Sequence, residues 1–217
     1  MPPHETYIET HLGGGAVLRN KFPASHNIGI DIDPEVIEIW KTQHSHYCQL
    51  VEKDAVDYLR KYEFNGDELI YSDPPYPINT RRRKYIYAYD YTEQNHIDLL
   101  EILRQLRCMV MVSSYENELY ADVLSDWRKI TFKAKTHSDI REECVWLNFP
   151  VPDRLHDTRF IGSSFRTRQI IKRRQERLKN RVQRMDNIER NEFILWLNKT
   201  YVIDQEAKTN AADSFIS

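Results

Sequence analysis

The chain has 217 residues, 41% of them hydrophobic and 29% charged, with a net charge of -2. That length suits one catalytic domain with room for a small appendage, and the composition is that of a soluble globular protein. It contains no apolar run near the roughly 18 residues of a membrane span, and no basic-then-apolar leader at its start. Cys48, Cys108 and Cys144 are odd in number and scattered. This argues against a disulfide framework or a cysteine-rich zinc site, and for a reducing, cytoplasmic compartment.

Short β-rich runs alternate with helical stretches over the first 150 residues. Tyr7 to Glu9 reads as a strand, followed by the glycine loop Gly13-Gly14-Gly15 and a helix. Asn27 to Asp31 is a second strand, and Pro34 fits the first turn of a helix to about Gln43. A third strand, Gln49 to Val51, leads to Asp54 and a helix over Ala55 to Tyr62. Glu68 to Tyr71 is the fourth strand, ending at Ser72-Asp73-Pro74-Pro75-Tyr76. A helix from Glu93 to Leu106, a strand from Met109 to Ser113 and a short helix near Glu118 to Leu124 follow. Two β runs, Arg128 to Lys135 and Glu142 to Phe149, close the series. Such alternation predicts an α/β fold, a mostly parallel sheet with helices on both faces.

After Pro152 the pattern changes. Phe165 to Met185 lacks proline and glycine, and Ile171, Leu178, Val182 and Met185 fall on one helical stripe. Of the 31 basic and 33 acidic residues, nine basic and one acidic lie between Phe165 and Arg184, so the remainder is acidic. A mildly acidic body with one concentrated basic segment suits a polyanionic partner, or else a solvated helix face. A second helix is expected from Ile188 to about Lys199. The expected organisation is a domain over 1–152, a basic helical extension over 153–203 and a disordered tail over 204–217.

Ligands on sheets of this kind sit beyond the carboxyl ends of the strands. The residues collected there are Gly13, Gly14, Gly15, Asp31, Asp54 and Asp73 to Tyr76. The glycines let backbone approach a ligand without a Cβ in the way. Asp31, ending the second strand, can accept from both ribose hydroxyls of a nucleoside, with Asp33 as the competitor that caps the following helix. Asp54 can accept from an adenine amino group or cap its own helix. In Asp73-Pro74-Pro75-Tyr76 two prolines stiffen the backbone, so the Asp73 carboxylate and Pro74 carbonyl can both face one amino group. Tyr76 offers a ring for a flat base. His44, His46 and Cys48 alternate, but no second ligand cluster accompanies them and no metal is expected.

The run Tyr7-Ile8-Glu9-Thr10-His11-Leu12-Gly13-Gly14-Gly15-Ala16-Val17, with Asp73-Pro74-Pro75-Tyr76 downstream, resembles the Dam-like (D12 class) adenine-specific DNA methyltransferases. The match covers about residues 3 to 150. It implies a Rossmann-like methyltransferase sheet, S-adenosylmethionine as cofactor and DNA as partner. Gly13 to Gly15 would line the methionine moiety, Asp31 the ribose and Asp54 the cofactor adenine. Asp73, Pro74, Pro75 and Tyr76 would hold the flipped-out target adenine. Two departures stand out. Only Met1 to Thr6 precede the first strand, where the family carries a lysine- and glycine-containing element. Only 57 residues, Ala16 to Ser72, separate the glycine loop from the tetrapeptide, which leaves no room for the family's recognition insert.

DNA contact is therefore expected elsewhere. One candidate is Arg81, Arg82, Arg83 and Lys84, followed by alternating Tyr85, Tyr87, Tyr89 and Tyr91, which either contact nucleic acid or pack in the sheet. The other is Arg173, Arg174, Arg177 and Arg181 in the basic segment. A ribosomal-RNA base-amino methyltransferase and a non-catalytic nucleic-acid-binding module remain open beside the DNA reading. A protein-glutamine methyltransferase would usually carry asparagine in place of Asp73.

Overall fold

The computed structural model describes residues 1–77, 80, 89–135 and 140–201. They divide into two compact units, Met1–His156 and Asp157 onward. The first unit holds a seven-stranded sheet in the order β3-β2-β1-β4-β5-β7-β6. Its strands are β1 (Thr6–Glu9), β2 (His26–Asp31), β3 (Gln49–Glu52), β4 (Glu68–Ser72), β5 (Met109–Tyr115), β6 (Arg128–Lys135) and β7 (Ile140–Leu147). Strands β1 to β5 are parallel, while β7 runs antiparallel to both β5 and β6. This is a Rossmann-like α/β sheet.

Period-two alternation sends the strand side chains into two separate cores. Ile8, Ile28, Ile30, Ile70, Val110, Val112 and Trp146 pack with α3 (Ala55–Leu59), α4 (Glu93–Gln105) and α5 (Glu118–Val123). Tyr7, Leu69 and Tyr71 pack on the opposite face with Leu18 of α1 (Ala16–Asn20) and Trp40 of α2 (Pro34–Gln43). The central strands β1 and β4 are buried along their whole length, so both faces must be covered. Glu68 opens β4 fully buried, and its carboxylate accepts from the Asn65 and Gly66 N–H groups at 2.8 and 2.9 Å. The turn's own amides thus partner a polar group whose burial without hydrogen bonds would be costly.

Local signals set the helix starts. Asp33 accepts from Glu35 N–H and Pro34 occupies the first turn of α2. Thr92 and Asn95 form a reciprocal capping box on α4, and Asn117 caps α5. At the start of the chain, His4 stacks on His156 with centroids 3.9 Å apart, and His156 N–H donates to Met1 O.

The second unit contains a short 3-10 turn, Thr158–Phe160, then α6 (Phe165–Gln183) and α7 (Asn187–Thr200). Neither helix has a buried residue, and Leu178 of the expected apolar stripe is 59% exposed. The two helices are tied by Arg190 of α7. Its guanidinium donates to the Val182, Gln183 and Met185 carbonyls, which satisfies acceptors left over at the end of α6. The tail expected over 204–217 lies outside the described residues.

Candidate active site

Chain reversal after β1 depends on its glycines. Gly13 and Gly15 have φ of 43° and 56°, in the left-handed region. A Cβ on Gly15 would fall 2.1 Å from Trp40 Cζ2, so nothing larger fits there. Trp40 in turn donates from Nε1 to Gly13 O at 2.8 Å, which fixes the loop on α2. Gly14 meets nothing within 4 Å. Of the three glycines, only Gly13 lines the cleft described below.

Asp31 stands at the end of β2 and joins that loop to the sheet. Its Oδ2 accepts from Gly13 N–H at 2.8 Å and its Oδ1 from Asp33 N–H at 2.9 Å. Burial raises its pKa, an effect reduced by those two amide bonds. Each carboxylate oxygen retains a lone pair, so a pair of ribose hydroxyls remains compatible with the geometry. Asp33 spends its side chain capping α2. Asp54 caps α3 by accepting from Asp57 N–H at 3.1 Å, and it also lines the cleft.

Asp73 follows β4 directly, and burial pushes its pKa up to about 6. Hydrogen bonds from the Tyr76 and Tyr71 hydroxyls oppose that shift, while the Glu143 carboxylate adds to it. Pro74 is buried. The Tyr76 ring lies edge-on to Tyr115 at 4.4 Å, and its hydroxyl is 3.4 Å from Ser113 Oγ. Asp73 and Pro75 line the cleft, while Tyr76 rests its ring on Tyr115 of β5 and places its hydroxyl by both Asp73 and Ser113. Behind them Glu9 ends β1, 3% exposed, and accepts from the Tyr7 hydroxyl at 2.7 Å. Burial, with a smaller contribution from the Asp73 charge, raises Glu9 to about 7.

These residues border one open cleft enclosing about 650 Å³, part of it open to solvent. It crosses the carboxyl ends of β3, β2, β1 and β4. Asp54 and Ala55 come from the β3 side, Asp31, Ile32 and Val36 from β2 and α2, and Thr10, His11 and Gly13 from β1. Asp73 and Pro75 come from β4. A nucleoside with an amino-acid tail fits this donor and acceptor set: apolar surface at Ile32 and Val36 for a base, and an acidic pair for hydroxyls and amines. Tyr89 and Tyr91 also line the cleft. These two tyrosines, with Thr10, His11, Ile32, Val36 and Ala55, are the site residues that sequence reasoning missed or placed elsewhere. The adjacency of Ile32 to Asp31 and of Thr10-His11 to the glycines was the available signal.

Arg81, Arg82, Arg83, Lys84, Tyr85 and Tyr87 lie outside the described residues. Arg173, Arg174, Arg177 and Arg181 are all exposed on α6. His44 and His46 pack edge-on and tilted against Trp40 and Tyr47. Among the described residues, no group of three or more His, Cys, Asp or Glu could hold a metal, and no helix is long and apolar enough to cross a membrane.

No protein-family model matches the chain, and no curated protein matches it. Among solved structures it aligns with the N-methyltransferase NodS from Bradyrhizobium japonicum at 10% identity, over 68% of this chain and 87% of that one, with TM-score 0.47. An rRNA methylase from Streptococcus thermophilus aligns at 10% identity over 68% and 87%, with TM-score 0.45. TrmK of M. capricolum, solved with S-adenosyl-homocysteine, aligns at 10% over 92% and 90%, with TM-score 0.43. These scores are all below 0.5, and the assignment of the cleft rests on the chain's own residues.

Proposed function

We propose that the chain is an S-adenosylmethionine-dependent methyltransferase acting on the exocyclic amino group of adenine in DNA. The observation that carries this reading is the shared cleft. Asp73 and Pro75 of the tetrapeptide open into the same space as Gly13, Asp31 and Asp54. A nucleoside cofactor held by the latter group would therefore adjoin an acceptor suited to an amino substrate.

The bound cofactor would supply an electrophilic methyl group. Asp31 would hold its ribose, Asp54 its adenine amino group, and Ile32 and Val36 the flat face of its base. The target amino nitrogen is a poor nucleophile because its lone pair is delocalised into the purine. Asp73 and the Pro74 carbonyl, by accepting its two protons, would favour a pyramidal nitrogen and stabilise the positive charge that develops there. A base in a duplex must first leave the stack. The α6 arginines would neutralise backbone phosphates and so position the polymer.

The test is transfer of labelled methyl groups to DNA and to RNA, followed by nucleoside analysis. N6-methyladenine in DNA supports the proposal. Label confined to RNA would transfer the activity to the ribosomal-RNA reading, and no label in either, with polymer binding retained, would leave a non-catalytic binding module.

A further inference from the structure

One wall of the cleft is built by a chain of hydrogen bonds that the proposed chemistry does not use. The Thr10 hydroxyl donates to Ser72 Oγ at 3.1 Å. Thr10 Oγ1 also lies 2.9 Å from His11 Nδ1, and His11 Nε2 lies 2.8 Å from the Tyr91 hydroxyl. A threonine hydroxyl has a single proton. Since that proton goes to Ser72, Thr10 Oγ1 must accept from His11 Nδ1–H. His11 Nε2 is then the acceptor, and the Tyr91 O–H donates to it. The direction of every bond follows from the first: Tyr91 to His11, His11 to Thr10, Thr10 to Ser72.

The Tyr91 ring is also held edge-on by two imidazoles, His11 and His96, each with centroids 5.3 Å away. His96 is itself fixed by the Tyr120 hydroxyl at 2.9 Å. Burial and, less strongly, His96 lower the pKa of His11 to about 3, so its imidazole is neutral, as the directed chain requires. The ends of β1 and β4 and the approach to α4 are thereby joined through the Thr10 and His11 side chains. Tyr91, Thr10 and His11 all line the cleft.

We infer that His11 is a positioning residue that locks Tyr91 as a fixed aromatic wall against the nucleoside cofactor. This rests on the cofactor reading proposed above. The Tyr91 hydroxyl has given its only proton to His11, so toward the cleft it offers lone pairs alone. Such a wall suits hydroxyl and amino donors on the ligand.

The test is calorimetric titration of the full chain with S-adenosylhomocysteine, for wild type, His11→Phe, Tyr91→Phe and the double variant. Each single change should weaken binding about three- to tenfold, the range of one neutral hydrogen bond. The double variant should be no weaker than either single one, because both remove the same interaction. Nitrogen-15 NMR of His11 should show a protonated Nδ1 both in wild type and in Tyr91→Phe, because Thr10 still takes that proton, while the Nε2 resonance shifts in the variant as its hydrogen bond from Tyr91 is lost, a signature that general loss of stability would not produce. Tyr91→Phe is nearly isosteric and keeps the test valid if His11→Phe does not fold. Wild-type binding with unchanged affinity in the single variants, or additive losses in the double, overturns the inference alone. Absence of any wild-type binding overturns it together with the cofactor reading.

Discussion

Asp73 is asked to act as an anion in a half-buried place, and its two demands conflict. Its folded pKa, about 6, lies above the ordinary carboxylate value of 3.8, so the folded state holds the proton more tightly than the unfolded chain does. Burial of its charge therefore lowers stability as pH rises from about 4 to 6, with the full penalty above 6. Activity has the opposite dependence: kcat/KM should fall about tenfold per pH unit below roughly 6, as the acceptor becomes protonated. Asp73→Ala should reduce methyl transfer by about a hundredfold or more, equivalent to roughly 3 kcal/mol, and leave cofactor affinity within a few-fold. Near-normal turnover in that variant would remove the tetrapeptide from the chemistry. Asp31→Ala should instead weaken S-adenosylhomocysteine binding by about 1.5–3 kcal/mol in calorimetry, the range for a hydrogen bond to a charged acceptor. The glycine loop gives a paired prediction. Gly15→Ala meets Trp40 and a positive φ, and should lower folding stability by about 1–3 kcal/mol, read as a fall in Tm, and weaken cofactor binding, whereas Gly14→Ala has open space and should be tolerated.

Elements were legible in the sequence wherever their ends are decided locally. The expected α2 coincides with Pro34–Gln43 because Asp33 and Pro34 mark its start. The carboxyl-side boundaries moved where distant residues decide them. The last strand was expected over Glu142 to Phe149 but is Ile140–Leu147, because the Asn148 side chain takes over the sheet bonding. Asn148 accepts from Val110 N–H and donates to Cys108 O, each at 2.8 Å. β5 runs on to Tyr115 because β7 continues to pair with it, a partnership no local pattern reveals. Among the site residues, Asp31 and Asp73 were readable from strand ends. Tyr91 was not, since its alternation with Tyr89 looks the same whether the ring faces DNA, sheet or cofactor. The basic helix α6 keeps its two readings, solvated face or phosphate grip, and salt separates them. Each neutralised phosphate adds about 0.9 to the slope of log affinity against log salt. Replacing Arg173, Arg174, Arg177 and Arg181 together should flatten that slope by roughly three to four units, equally for all DNA sequences. A wild-type slope in the quadruple variant would leave α6 a structural element.

For the first unit as a body, a ligand bound only by the folded cleft adds stability by mass action. At a hundredfold excess over Kd this is about 2.7 kcal/mol, which for a chain of this size raises Tm by roughly 5–10 °C. S-adenosylhomocysteine should produce that shift in a thermal melt, and Asp31→Ala should diminish it at the same ligand concentration. The sheet order carries a further consequence, for how this chain comes into being on the ribosome. β7 is last in sequence, yet it lies inside the sheet between β5 and β6. When residues through Tyr115 have emerged, five parallel strands can assemble, but the free edge of β5 stays an open template for any other strand. Only the β6–β7 hairpin closes it, and it must dock as a unit, leaving outermost on that side a β6 strand that carries Lys129 and Lys133. Chains released before Ile140 would therefore be sticky intermediates that associate through β5, while in chains reaching Phe149 that edge is replaced by the lysine-bearing β6, with β3 as the edge on the far side.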